Sequence, residues 1–444
     1  MKIRSLPQVC HELNQISLLR ELSRLLLAQQ QCFLVGGAIR DMFLGRPCND
    51  FDFITPFDPT FLARDLARHL SGHWFFLDAP RRQSRVVIPA GNGELCCDFS
   101  PFRSTDIVAD LSMRDFRVNA IAVRLHDQIC PADVYDPLCG LEDLKSGQLT
   151  ICSANVLRSD PLRILKGLRH CKTLHLTLGD TTLKAMRAAA PLLTEVAGER
   201  VRKELGLLFN EAMPAIPLRG MLVTGTAEPV FGAWVVAEEP SGLLKRLARF
   251  GHNVLGIATA EHADFFFNAM QEEFEEGFPR QALLNLAMVL QDRPMCDVQR
   301  VIARMKLARA STKALTGYVD LPAASKLLEL QNLACGFRGR YWWVSGLGPD
   351  PVGCLLYLAS SISGHSRQLG LRALTLAEEY ASADPITDLV DGNWLCQCLG
   401  IEPGPLVGEA LHTLRYEEIA GRVHSVKQAR EFLQVQYKKS IDNT

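Results

Sequence analysis

The segment Val35-Gly-Gly-Ala-Ile-Arg-Asp41, followed by Asn49-Asp-Phe-Asp-Phe53, constrains this chain more than any other feature. A short apolar strand, Cys32–Val35, runs into two glycines. A helix follows over Ala38–Leu44, closed by Gly45, and a second strand over Phe51–Ile54 carries Asp-x-Asp at its start. Glycine lets backbone amides approach a bulky anion, and a helix N-terminus attracts negative charge. Alternation along a strand puts Asp50 and Asp52 on one face, about 6.6 Å apart along the chain. Carboxylates so placed can hold a pair of Mg²⁺ ions about 4 Å apart, the geometry of two-metal phosphoryl transfer. Taken alone, an Asp-x-Asp at a strand end is more often a solvated pair. The upstream Gly36-Gly37 and Arg40 weigh against that. The GxxxxGK[ST] pattern of a P-loop is missing.

At 444 residues the chain exceeds one typical core, which predicts about two to four domains. The first part is mixed α/β. A helix is expected over Thr60–Leu70, strands over His73–Leu77, Arg85–Pro89, Glu94–Phe99 and Val118–Leu125, and a hairpin at Ala90–Gly93. An amphipathic helix over Ile16–Leu27 precedes them. From about Asn155 strand signals fade into Leu-, Ala-, Arg- and Glu-rich helical segments. The fold class is therefore α+β: a small mixed-sheet head followed by an all-α remainder. The expected division is 1–150 head, 151–212 neck, 213–345 body and 346–444 tail.

The formal net charge of −1 neither supports nor excludes a nucleic-acid partner, which needs a local basic face. The fourteen cysteines form no CxxC pair, so reduced thiols and no zinc site are expected. The N-terminus lacks an apolar signal-peptide core, and no stretch reaches the about 18 apolar residues of a membrane span. A cytoplasmic protein with no membrane partner is the expectation.

The strand–Gly-Gly–helix–Asp-x-Asp arrangement resembles the polymerase-beta type of nucleotidyltransferase, in its class II branch of tRNA CCA-adding enzymes and bacterial poly(A) polymerases. Further motifs of that branch are found here. Met113-Arg-Asp-Phe-Arg-Val-Asn-Ala120 is similar to RRDFTxNA, departing at Met113 and Arg117. The resemblance implies that Arg114 contacts the incoming nucleotide and Asn119 lies near its sugar; an arginine salt-bridged to Asp115 is the alternative. Asp136-Pro-Leu-Cys-Gly-Leu-Glu-Asp-Leu144 resembles the DPxxGxxDL hinge, a structural turn. Ser159-Asp-Pro-Leu-Arg-Ile-Leu-Lys-Gly-Leu-Arg169 resembles EDxxRxxRxxR, with Ser159 and Lys166 departing. Pro161 suits the first position of a helix capped by Asp160. By resemblance, Asp160 and Arg163 pair with the base of CTP or ATP, so that protein replaces template. Lys166 and Arg169 extend the basic series. Arg169 points away from Asp160 on a regular helix and fits a phosphate or packing contact better. Gly198-Glu-Arg-Val-Arg-Lys-Glu-Leu205 resembles the ERxxxEL neck helix. In Cys97-Asp-Phe-Ser-Pro-Phe-Arg103, Asp98 is a candidate third carboxylate, as a base or metal ligand, or else a structural partner of Arg103.

What the resemblance implies is Mg²⁺-dependent transfer of CMP or AMP from CTP or ATP to the 3′ acceptor end of tRNA. Asp50 and Asp52 hold the metal, while Gly37 and Arg40 steady the triphosphate. Poly(A) polymerase activity and a non-catalytic RNA-binding relative are the alternatives. Only Ser104–Met113 separates Arg103 from Arg114, shorter than the flexible loop of CCA-adding relatives and similar to CC-adding ones. Addition of CC, with a separate A-adding enzyme acting afterwards, is therefore expected. Gln291 stands where a phosphohydrolase module would place a histidine ligand, so no such metal site is expected. Lys427, Arg430, Lys438 and Lys439 are candidate RNA contacts in the tail.

Overall fold

The computed structural model describes all residues except 1–2, 28, 92, 238–239, 258–261, 334–335, 362–366, 384–388 and 442–444. The chain forms two compact units. One comprises Met1–Val196 with Val223–Pro229, and the other comprises Ala197–Leu222 with Val230–Thr444. The expected boundaries at 150, 212 and 345 are finer than this division.

The first unit opens with α1 (Leu6–Gln15) and α2 (Ser17–Leu25). The periodicity over Ile16–Leu27 anticipated α2 alone. In α1, Val9, Cys10 and Leu13 are buried, and the Gln8 side chain accepts a hydrogen bond from the Ser5 amide at its start. Then come β1 (Phe33–Val35), α3 (Gly37–Phe43), β2 (Asp50–Thr55), α4 (Thr60–His69), β3 (His73–Asp78), β4 (Gln83–Ala90), β5 (Gly93–Pro101), α5 (Ile107–Ser112), β6 (Ala122–Arg124) and β7 (Val134–Tyr135). The strands form one seven-stranded sheet in the order β3-β4-β5-β2-β1-β6-β7. β2 and β5 are parallel and the other pairs antiparallel.

The expected strand Val118–Leu125 is shorter than its sequence suggests. Arg117–Asn119 is a 3₁₀ turn, and pairing resumes at Ala122. The Asp115 carboxylate accepts from the Phe116 amide and from Asn119 Nδ2, and such local bonds draw the backbone out of a ladder.

The two faces of the sheet differ. Leu34, Phe51, Phe53, Val86, Cys97, Phe99 and Val123 point into the main core, shared with side chains of α1–α4. On the opposite face, Phe33, Val35, Ile54 and Ala122 form a smaller cluster with Leu111 of α5. Beyond that cluster this face carries Asp50, Asp52 and Asp98. Burial of the apolar face, at about 25 cal/mol per Å², holds β2 in register, so the intervening aspartates must emerge on the other side.

The head continues through α6 (Gly140–Ser146), α7 (Asn155–Ser159), α8 (Arg163–Leu174) and α9 (Asp180–Ala189). Among the described residues the second unit is dominated by helices, beginning with α10 (Gly198–Phe209), with a two-stranded ladder at Glu273–Glu275 and Phe278–Pro279. Its last three helices, Gly392–Leu399, Pro405–Ile419 and Val426–Ile441, share a small core of their own. There Lys427 and Arg430 are exposed, with Arg430 over the Trp394 ring at 5.6 Å; the side chains of Lys438 and Lys439 lie outside the described residues. No helix among the described residues is long and apolar enough to cross a membrane.

Candidate active site

The site is built where β1 ends. Val35 is in register with Asp52 of β2, which is in register with Asp98 of β5. Gly36 then turns away at φ +82°, a conformation that disfavours any side chain. A Cβ added there would lie 3.2 Å from Asp52 Oδ2 and 3.3 Å from Arg114 Nη1. Three distant segments thus converge on one glycine: a carboxylate from β2, a guanidinium from the segment after α5, and the backbone entering α3. The two expected glycines divide the work. Gly36 makes the close approach, and Gly37 is the first residue of the helix.

Asp50 and Asp52 both emerge on the open face of β2. Asp52 is exposed as a residue, yet protein atoms around its carboxyl strip it of part of its hydration. That desolvation raises its pKa above the ordinary carboxylate range. Arg114 opposes the shift, and the nearby charges of Asp98 and Asp50 add to it. Crowded, mutually repelling carboxylate oxygens are hard donors suited to a divalent cation. Among the described residues no group of three or more His, Cys, Asp and Glu converges as a metal site. Asp98 is turned to its other neighbour: Arg85 of β4 clamps it with two hydrogen bonds of 2.7 and 2.8 Å. Its partner is Arg85, not Arg103, whose backbone amide instead donates to Asp110.

Arg114 is largely withdrawn from solvent, with 15% of its side chain exposed. Its nearest carboxylate, Asp110, is 3.6 Å away, and its Nε is buried without a hydrogen-bond partner. Burial lowers its pKa, with Asp110 and Asp52 only partly compensating. The alternative of an Arg114–Asp115 salt bridge is not what forms. Asp115 is held by Lys166 at 2.7 Å. Burial alone would raise the Asp115 carboxyl, but Lys166 and Asn119 override it and hold it well below the usual range.

Behind Arg114 lies a buried polar chain. Arg40 donates to both Asp41 oxygens at 3.0 and 2.8 Å and to Asn119 Oδ1 at 2.5 Å. Asn119 Nδ2 in turn lies 3.0 Å from Asp115 Oδ1 and 3.3 Å from His170 Nε2. Burial, with Arg40 and Arg169 nearby, lowers His170 to about 3, so the ring is neutral and accepts from Asn119. His170 joins this chain without any local sequence signal, because the bond spans 51 residues. Asp110 was readable in principle from its i,i+4 spacing to Arg114.

The expected cap of α8 does not form. The helix begins at Arg163, no side chain caps it, and Asp160 is extended at φ −148°. Pro161 and Leu162 make a turn, closed by the Arg163 amide donating to the Asp160 carbonyl at 3.1 Å. A residue before proline is driven out of helical geometry. Arg163 Nη1 donates to the Met113 and Val156 carbonyls at 3.2 and 3.4 Å. With the Lys166–Asp115 pair, this fastens α8 to the segment carrying Arg114 and Asn119. Gly167 permits the approach: a Cβ there would meet Phe116 and Met186 at 2.6 Å. Arg169 is half-buried beside His170.

A strand with paired carboxylates, a glycine turn into a helix and an arginine over the carboxylate together define a head of the nucleotidyltransferase class. Residues 32–150 match the family described as Poly A polymerase head domain, and 175–234 the one described as Probable RNA and SrmB- binding site of polymerase A. The chain is 31% identical over 417 residues to the CC-adding tRNA nucleotidyltransferase of Geobacter sulfurreducens, covering 90% of this chain and 91% of that one. It is also 31% identical over 429 residues to the A-adding tRNA nucleotidyltransferase of Deinococcus radiodurans, covering 90% and 94%. A solved structure of the Thermotoga maritima CCA-adding enzyme complexed with tRNA shares the fold, with TM-score 0.67 and 22% identity over 98% of this chain and 99% of that one. The chain belongs to the tRNA nucleotidyltransferase family, whose members extend the tRNA 3′ end without a nucleic-acid template.

Proposed function

We propose that this enzyme transfers CMP from CTP to the 3′ end of tRNA, completing CC and leaving the final A to a second enzyme. The observation that carries the transfer chemistry is the convergence of Asp52 and Arg114 on Gly36, with α8 fastened alongside through Lys166 and Asp115. In this reading Asp50 and Asp52 hold Mg²⁺. The ion supplies charge neutralisation for the triphosphate and a lowered pKa for the attacking hydroxyl. Arg114 presents an under-satisfied guanidinium to the phosphates. Arg40 keeps Asn119 oriented at the sugar, with Gly37 and the start of α3 beside it. Asp160 and Arg163 face the base, and Lys166 and Arg169 maintain α8 at the site. Asp98, clamped by Arg85, borders the approach of the 3′-hydroxyl. The bond from O3′ to the α-phosphorus forms as the bond to pyrophosphate breaks, in line, and the hydroxyl proton passes to solvent.

The CC product is supported by the segment after Arg103. It is filled by α5, capped by Asp106, whose carboxylate accepts from the Ala109 amide at 2.9 Å, and anchored by buried Leu111. A short helix packed on the sheet leaves little slack for a rearrangement between nucleotides. The A-adding reading has equal support in overall identity. Incubating the enzyme with CTP, ATP and tRNA ending before CCA, and separately with tRNA ending in CC, decides among them. Arrest at CC is expected; full CCA, or a single A added only to CC-ended tRNA, overturns the product assignment.

A further inference from the structure

The carboxylate row of the sheet does not stop at Asp98. Arg85 is in register with Asp98, and Phe75 of the outer strand β3 is in register with Arg85. One line of side chains on one face therefore runs Val35, Asp52, Asp98, Arg85, Phe75 across five strands. A parallel row runs Asp50, Cys96, Val87, His73. Phe75 is 44% exposed and Leu77, on the same strand, 49%. Both alternate with half-buried Trp74 and Phe76, which pack edge-to-face at 4.7 Å and face the helices. Phe75 lies three strand spacings from Asp52, about 14 Å.

The residues assigned to the nucleotide in the proposed function lie on the other flank. Arg114 and Gly36 lie on the β1 side of Asp52, and α8 is tied to Arg114's own segment. In-line transfer requires the attacking hydroxyl and the departing pyrophosphate on opposite sides of the phosphorus. With the triphosphate on the β1 flank, the acceptor strand reaches Asp52 from the β5–β4–β3 flank. An exposed aromatic beside an arginine is what unpaired nucleotides stack on.

We propose that the open face of β5, β4 and β3 is the track for the unpaired 3′-terminal nucleotides of tRNA, with Phe75 stacking on a base. This rests on the reading of the enzyme as one that extends tRNA. Arg85 holds two positions at once: it clamps Asp98 at the reacting end and lies next to Phe75 along the track.

The test uses the full chain and tRNA ending before CCA. F75A is expected to raise KM for tRNA about tenfold, the size of one lost base–aromatic contact, with KM for CTP unchanged. F75W should restore the wild-type KM, and F75L, apolar but unable to stack, should not. Fluorescence anisotropy gives a readout independent of catalysis. F75A should weaken binding of that tRNA, but not of tRNA trimmed back to its paired acceptor end. Unchanged KM and binding in F75A, F75L acting as well as F75W, or equal weakening on trimmed tRNA would each overturn the track. A wild-type enzyme that binds tRNA through Phe75 but adds no nucleotide would instead overturn the functional reading.

Discussion

Arg114 in the first unit and Arg280 in the second are both withdrawn from water, yet their surroundings are built oppositely. Arg280 is 3% exposed and fully engaged. Asp350 takes two of its hydrogen bonds at 2.7 and 3.0 Å, the Ala269 carbonyl a third, Glu272 an ion pair, and the Tyr318 hydroxyl donates to the same Asp350. Burial alone would lower the Arg280 pKa, but Asp350 overrides it and raises it. Arg114 has one carboxylate at 3.6 Å and a buried Nε with no partner, and its pKa falls. A satisfied buried charge is structure. An under-satisfied one is stored affinity for an anion, which in the proposed reading is the triphosphate of a nucleotide.

The contrast is sharpest under mutation. Removing one partner of the satisfied network, as in D350A, strands a buried guanidinium and should cost about 3–5 kcal/mol in urea-unfolding stability. An R114M protein should behave in reverse. Its stability should hold or rise, while turnover falls about 10²–10³-fold, as when a donor to developing charge is lost. Loss of stability in R114M comparable to D350A would erase the distinction between the two arginines.

A smaller effect is expected at Gly36. G36A should lose about 1–2 kcal/mol from the left-handed backbone alone. It should also lose activity beyond that destabilisation, because the new methyl pushes Asp52 and Arg114 apart. A G36A enzyme with wild-type turnover would show that their convergence is not needed.

The subtlest prediction concerns pH. Asp52 has its carboxyl raised in the folded state, so its ionised form opposes folding. That penalty is fully present above its folded pKa and vanishes as pH falls below the ordinary carboxylate range. Asp115 has its carboxyl lowered, so its contribution favours folding above the ordinary range and is lost as pH falls through its folded pKa. D52N should therefore raise Tm near neutrality and D115N should lower it, both differences shrinking in acid. Melting curves of the two variants across pH check the opposite signs, and matching signs would refute the assignment.

Much of the head was legible in the sequence because its signals are local. Apolar alternation and glycine breaks located β1 through β5 within a few residues, and the hairpin before Gly93 followed from turn chemistry. Where side chains bond back to nearby backbone, the pattern misled. Asp115 and Asn119 turned an apparent strand into a 3₁₀ turn, and Pro161 moved the start of α8 past Asp160. In the site, Asp50 and Asp52 could be named from spacing and Arg114 from its resemblance to the family motif, whereas His170 and Arg85 could not. Their partners lie 51 and 13 residues away, and only strand register and helix packing bring them together.

The sequence by itself determined that Asp50 and Asp52 share a face, since a period of two leaves no other arrangement on a strand whose alternate residues are buried. It determined as well that a helix begins behind a glycine turn. Tertiary structure decided what those carboxylates meet. Pairing β2 between β1 and β5 set Asp52 against Gly36 on one side and Asp98 on the other, gave Asp98 to Arg85, and opened a row out to Phe75. The physical reason is that local periodicity fixes the side of a strand a residue occupies. Its neighbour across the sheet is chosen by register, which the whole buried face must agree on.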